Sequence, residues 1–183
     1  MASVLVPLAS GFEEIEAVCI IDILRRGGIL VVTASLGDEK VTGANGITII
    51  ANNKLEYIEP SEFDMIVLPG GHNGAVALKE SERVQSILKE FDEKKKLIGA
   101  ICAAPMALKE AGVIKNSYTC YPSYEDDIGL EKFTDKQKVV VDENIITSRG
   151  PGTAICFALE IVKKLVGDET YESVKSGVLA DYC

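Results

Sequence analysis

Residues Leu97 to Pro105 read LIGAICAAP, a short apolar run that passes through Gly-Ala-Ile-Cys into Ala-Ala-Pro-Met-Ala-Leu. The second half has good helix formers and a proline of the kind a first helical turn tolerates. The pattern predicts a buried strand from Leu97 to Cys102 that turns sharply into a helix from Ala103 to Ala111, stopped by Gly112. Cys102 stands at the corner. A thiol there meets unpaired backbone N–H groups and the positive end of a helix dipole, and both favour the nucleophilic thiolate. Gly99, Ala100, Ala103 and Ala104 are small enough to leave room for a tight turn and a small ligand. The competing reading makes Cys102 a small core hydrophobe, the usual place of a free cysteine.

On the N-terminal side, Val4–Ala9 reads as a first strand and Phe12–Arg26 as a helix, with Glu13 and Glu14 in its first turn and Arg25 and Arg26 in its last, as the dipole prefers. After Gly27-Gly28, Ile29–Leu36 is a strand rich in Val and Ile. This β-α-β opening predicts an α/β protein with a parallel sheet and helices on both faces. Val41–Ile50 and Asn52–Ile58 read as two shorter strands, with turn residues that include Asn45-Gly46. Asp64–Leu68 is a further buried strand, and Pro69-Gly70-Gly71 follows it where an open α/β sheet places its ligand crevice.

Helices are expected over Asn73–Lys79 and Ser81–Lys95, the second capped by Ser81. Beyond the corner, Tyr118–Tyr121 reads as a short strand, Ser123–Lys138 is polar and irregular, and Val139–Val141 with Ile145–Thr147 forms a hairpin. Ala154–Val166 is an amphipathic helix, and a last helix runs from Glu169 toward Leu179.

With 183 residues, 47% of them hydrophobic, and no Pro-, Gly- or Ser-rich linker, a single domain with a sizeable core is expected. The net charge of −9 argues against a nucleic-acid or anionic-membrane surface, leaving a small molecule or another protein as partner. MASVLVPLAS has no basic flank and is too short for a membrane span, so it reads as a strand and the expected location is cytoplasmic. The five cysteines, Cys19, Cys102, Cys120, Cys156 and Cys183, form no C-x-x-C pair, which reads as a reduced compartment. One histidine, His72, and wide cysteine spacing supply no metal-ligand cluster, so the chemistry is expected to use side chains and backbone dipoles without metal or cofactor.

Two further positions bear on chemistry. Glu16 shares a helical stripe with Cys19, Ile20 and Ile23, so the face that packs on the sheet carries a carboxyl. Such a carboxyl should have a raised pKa and donate a hydrogen bond to an anion such as a thiolate; the alternative is an edge carboxyl that reaches water. Gly70 and Gly71 let backbone N–H groups approach a ligand as an oxyanion site, although Gly-Gly also serves ordinary turns. His72, beside them, is either a general base or a surface loop histidine.

LASGFEEIEAV, IVLPGGHNGA, LIGAICAAPMAL and ITSRGPGTA, in this order and spacing, resemble the DJ-1/ThiJ/PfpI superfamily, and its DJ-1/ThiJ branch most, over Val4 to Val166. The resemblance implies a flavodoxin-like α/β sandwich, commonly a homodimer, with Cys102 as nucleophile-elbow cysteine and Glu16 as the protonated carboxyl beside it. Gly70, Gly71 and Ala103 would supply the neighbouring backbone, and Pro151 would approach the partner subunit's site. The chain departs from the family at Cys120-Tyr121-Pro122, where many DJ-1 members have Thr-His-Pro. A tyrosine is a poor base at neutral pH, so a proton shuttle would fall to Glu16, Cys120, His72 or water. Ala103 stands where the protease-like branch has a histidine, which removes the base a peptidase requires.

Two functions follow from the resemblance. One is a cofactor-independent glyoxalase III or deglycase acting on small aldehydes such as methylglyoxal. The other is a redox-responsive protective protein or chaperone in oxidative stress, sensing an oxidant through Cys102, with Cys120 as a second thiol near the site.

Overall fold

In the computed structural model, residues 1–183 are described apart from the side chain of Leu130. The chain runs β1 (Ser3–Leu8), α1 (Glu14–Arg26), β2 (Leu30–Ser35), β3 (Lys40–Thr42), β4 (Thr48–Ile50), β5 (Asn53–Lys54), β6 (Met65–Leu68), α2 (His72–Glu80) and α3 (Glu82–Glu93). It continues through β7 (Leu97–Ile101), α4 (Pro105–Ala111), α5 (Glu125–Ile128), β8 (Val139–Asp142), β9 (Ile145–Ser148), α6 (Ala154–Val166) and α7 (Asp168–Gly177).

Every residue of β1 is buried, because the strand pairs on both edges and is covered on both faces. Seven strands form one sheet in the order β5-β2-β1-β6-β7-β9-β8, and only β8 runs antiparallel to its neighbour. Side chains alternate between two cores, as a pleated strand requires. Val4, Val6 and Leu8 point into the core that holds Ile20, Leu24, Phe157 and Ile161 of α1 and α6. Leu5, Ile66 and Ile98 point into the core that holds Ile87, Phe91 and Leu108 of α3 and α4. Burial of a Leu, Ile or Phe side chain contributes about 2 kcal/mol, so this two-faced burial is the main favourable term in folding. The sheet has the mostly parallel, helix-flanked architecture expected. The order in which the chain lays down its strands reverses at the β1/β6 junction, where the two strands stay parallel, and this opens a crevice at the carboxyl ends of the central strands.

Several local expectations are revised. Val41–Ile50 is not one strand: β3 and β4 pair antiparallel in a separate hairpin, since Gly46 adopts φ 88° and turns the chain back. Asn52–Ile58 holds only the two-residue β5 and a 3-10 turn over Leu55–Tyr57. The Tyr118–Tyr121 strand reduces to one bridge between Tyr118 and Phe133. The elbow helix begins at Pro105 and not Ala103, because Ala103 and Ala104 are spent on the turn.

The all-reduced cysteine set is also revised. Cys156 on α6 is bonded to Cys183, while Cys19, Cys102 and Cys120 are free. The turn after α7 buries Ala180 against the α6 side of the core and so returns the tail to α6, a proximity that spacing alone does not reveal.

Candidate active site

The site is assembled at the carboxyl ends of three adjacent strands. β7 delivers Cys102, β6 delivers Gly70 and Gly71, and the turn after β1 starts α1, which delivers Glu16. Cys102 adopts φ 64°, a left-handed conformation that a non-glycine residue adopts only when its surroundings impose it. Here the surroundings are hydrogen bonds on both sides of the residue: the Cys102 N–H donates to Ser148 O at 3.0 Å, and the Tyr121 N–H donates to Cys102 O at 2.9 Å. The result is a sulfur-bearing residue 9% exposed at the head of the crevice.

Glu16 is fully buried (0% exposed), as its stripe position requires. Its Oε2 accepts a 2.8 Å hydrogen bond from the Gly70 N–H, and its Oε1 is buried without a partner. Burial raises the carboxyl pKa to about 7, opposed by hydrogen bonding to Gly70 and Cys102. The thiol does not match the depressed value expected of a helix terminus. Burial, followed by the charge of Glu16, pushes Cys102 up to about 12, against hydrogen bonds from the Gly71 and Ala103 N–H groups. A seven-residue helix that starts beyond the turn does not offset these two effects. Two anions side by side are costly, so Cys102 and Glu16 together carry at most one negative charge near neutral pH, and when that charge sits on the sulfur the proton sits on Glu16.

The two glycines have different roles. A Cβ on Gly70 would lie 2.6 Å from Cys102 Cβ and 2.7 Å from Glu16 Oε2, so only glycine lets the carboxyl and the elbow meet. The Gly70 N–H is committed to Glu16 and is therefore not an oxyanion donor, contrary to the sequence-based assignment. Gly71, at φ 86° and against the Gly11 carbonyl, turns its own N–H to the sulfur, as does Ala103.

His72 is exposed at the start of α2, and its Nδ1 lies 2.8 Å from Tyr124 Oη. Tyr121, 46% exposed, stands edge-on to Tyr124 with ring centroids 6.4 Å apart. The Tyr121 ring also covers Gly150: a Cβ built there would be 3.0 Å from Tyr121 Cδ2 and 4.0 Å from Glu16 Oε1. Burial raises the Tyr124 pKa, and next in order the charge of an ionised Cys102 raises it further. Sequence reasoning does not single out Tyr124; its signal is the second aromatic of the Tyr121-Pro122-Ser123-Tyr124 run at the start of the polar segment. Cys120 is fully buried and turned toward Glu125, 3.9 Å from its Oε2, so the structure does not pair it with Cys102. Pro151, half-buried, opens the 3-10 turn that leads into α6. Among the described residues, no group of three or more His, Cys, Asp or Glu is placed to hold a metal ion, and no helix is long and apolar enough to cross a membrane.

The elbow, the buried carboxyl and the glycine pair coincide with a match of residues 2–164 to the sequence pattern of the DJ-1/PfpI family. The chain belongs to the DJ-1/PfpI family. It is 42% identical over 183 residues to protein dj-1beta of Drosophila melanogaster, covering 98% of each chain. It is 38% identical over 164 residues to the glutathione-independent glyoxalase DJR-1.2 of Caenorhabditis elegans, covering 88% of this chain and 87% of that one. The fold superimposes on the solved structure of oxidized Toxoplasma gondii DJ-1 with a TM-score of 0.94 at 36% identity, covering 98% of each chain. The DJ-1 fold thus extends over both halves of the sheet and over every strand that contributes to the site.

Proposed function

We propose that this DJ-1 family member is a cysteine-dependent glyoxalase that converts methylglyoxal to lactate with no cofactor. The observation that carries the reading is the fully buried Glu16, whose pKa of about 7 lets one carboxyl both release and recover a proton beside Cys102 at neutral pH. A relative that bears the name glutathione-independent glyoxalase supports the reaction class.

The thiolate attacks the aldehyde carbon, a C–S bond forms, and the new alkoxide takes the proton from Glu16 to give a hemithioacetal. The Glu16 carboxylate then removes the hydrogen from that carbon. The resulting enediolate places negative charge on the neighbouring oxygen, where the Gly71 and Ala103 N–H groups favour it. Glu16 returns its proton to the second carbon while the first hydroxyl gives its proton to the second oxygen, which leaves a lactyl thioester on Cys102. Water adds to the thioester and breaks the C–S bond. Lactate leaves as its anion, one proton restores the Glu16 carboxyl, and one passes to solvent.

The test is methylglyoxal consumption with lactate detection by the reduced protein and by Cys102→Ser. Lactate formation that disappears in Cys102→Ser is expected; an equal rate in both proteins, or none in either, overturns the reading. A second reading, redox protection through oxidation of Cys102, is favoured by the unpartnered Glu16 Oε1, which can donate to an oxygen added to the sulfur. Its mark is a mass gain at Cys102 under mild peroxide in a protein without turnover.

We also propose that the molecule is a homodimer. Ile15 and Val18 of α1 and Ile47 and Ile50 of the β3–β4 hairpin are large, exposed and apolar (48 to 67% exposed). Val18 and Ile50 line one groove, so α1 and the hairpin form a continuous surface suited to a second copy.

A further inference from the structure

One proton movement in the glyoxalase sequence is not available to Glu16. While the enediolate exists, Glu16 holds the hydrogen taken from carbon, so another group must carry the proton from the first hydroxyl to the second oxygen. Tyr121 stands where the resemblance to DJ-1 leads one to expect a histidine, and its side chain is packed over Gly150 and half-exposed.

The two chain segments that converge on Cys102 offer a different group. One donates the Gly71 N–H to the sulfur and continues directly into His72. The other donates the Tyr121 N–H to the Cys102 carbonyl and, three residues on, places Tyr124 at the N-terminal end of α5. They close on each other through the 2.8 Å contact between His72 Nδ1 and Tyr124 Oη, across 52 positions of sequence. The Tyr124 ring stands edge-on to that of Tyr121, whose N–H is bonded to the Cys102 carbonyl, and His72 is exposed to water.

We infer that Tyr124, oriented by His72, is the oxygen-side proton shuttle of this enzyme. This inference rests on the glyoxalase reading. In the tautomer with hydrogen on Nδ1, His72 donates to Tyr124 Oη and leaves the phenol hydrogen free to face the adduct on Cys102. Tyr124 gives that hydrogen to the second oxygen of the enediolate and takes the hydroxyl hydrogen of the first. The His72 N–H stabilises the phenolate that exists between the two transfers. No proton is gained or lost by the pair over the cycle. Glu16 thus serves carbon and Tyr124 serves oxygen, while His72 is a positioning residue that does not touch substrate.

The experiment compares wild type, Tyr124→Phe, His72→Ala and the double variant with methylglyoxal in heavy water, alongside Cys102 alkylation by iodoacetamide. Tyr124→Phe should lower kcat on the order of a hundredfold, with KM and alkylation rate within about twofold of wild type. Because the stalled enediolate returns to substrate, recovered methylglyoxal should gain deuterium at its aldehyde carbon, which a purely structural defect would not cause. His72→Ala, a change at an exposed position, should lower kcat in the same direction, and the double variant should be no slower than Tyr124→Phe. A Tyr124→Phe enzyme with kcat within about twofold of wild type and no added deuterium overturns the shuttle alone. Losses that multiply in the double variant overturn the coupling to His72. A wild type without Cys102-dependent lactate overturns the glyoxalase reading and the shuttle with it.

Discussion

Glu16 and Cys102 illustrate how burial alters two acids at once. A carboxyl moved from its ordinary 4.5 to about 7, chiefly by burial, favours the folded state when protonated. Its contribution is fully present below pH 4.5 and is lost as pH rises to about 7. The contribution is on the order of 3 kcal/mol. Glu16→Gln should remove that slope, which urea unfolding at about pH 5 and about pH 8 measures; an unchanged slope would assign it to other groups. Because the charge of Glu16 is among the causes that hold the Cys102 thiol up, alkylation of Cys102 should rise at lower pH in Glu16→Gln than in wild type, and an unchanged profile would assign the shift to burial alone. The position of Glu16 on the buried face was readable from the spacing of Cys19, Ile20 and Ile23. The value that results was not, because it depends on the Gly70 N–H and on a sulfur contributed by a distant strand.

At the scale of elements, the β3–β4 hairpin depends on a residue that sequence reasoning assigned to the helix dipole. Glu14 is 4% exposed, and its carboxylate accepts hydrogen bonds from Asn45 N (2.6 Å), Asn45 Nδ2 (3.0 Å) and Ile47 N (3.3 Å). Burial alone would raise its pKa, but the hydrogen bonds outweigh it and the net shift is downward. Glu14→Ala should cost about 2 kcal/mol, since it removes charge-assisted hydrogen bonds that tie Asn45 and Ile47 to α1, and should loosen the hairpin first. Hydrogen exchange at Asn45 and Ile47 checks this: protection equal to wild type would show that the hairpin is held by the backbone bonds of Gly11 to Thr42 and Ala44 to Phe12. The elbow itself was readable, because a strand pattern met a helix pattern at one residue. Its length was misjudged by two residues, because a turn at φ 64° uses the same small residues that favour a helix.

For the whole molecule, the exposed apolar surface of α1 and the hairpin makes oligomeric state the property to measure. Val18→Asp should convert the proposed dimer to monomer in sedimentation or light scattering while leaving the fold intact, because Val18 is 48% exposed within one chain. A wild type that is already monomeric at micromolar concentration removes the proposal.

The sequence by itself determined the α/β class, the order of the principal strands and helices, the corner at Cys102 and the inward face that carries Glu16. These follow from periodicity and from punctuation by Gly and Pro, which act over a few neighbouring residues. The tertiary structure alone decided that Gly70 serves Glu16 and not an oxyanion, that Cys120 faces Glu125, that Cys156 meets Cys183, and that His72 meets Tyr124. Each of these depends on which distant segments the parallel sheet brings to one edge, and local pattern carries no record of that distance.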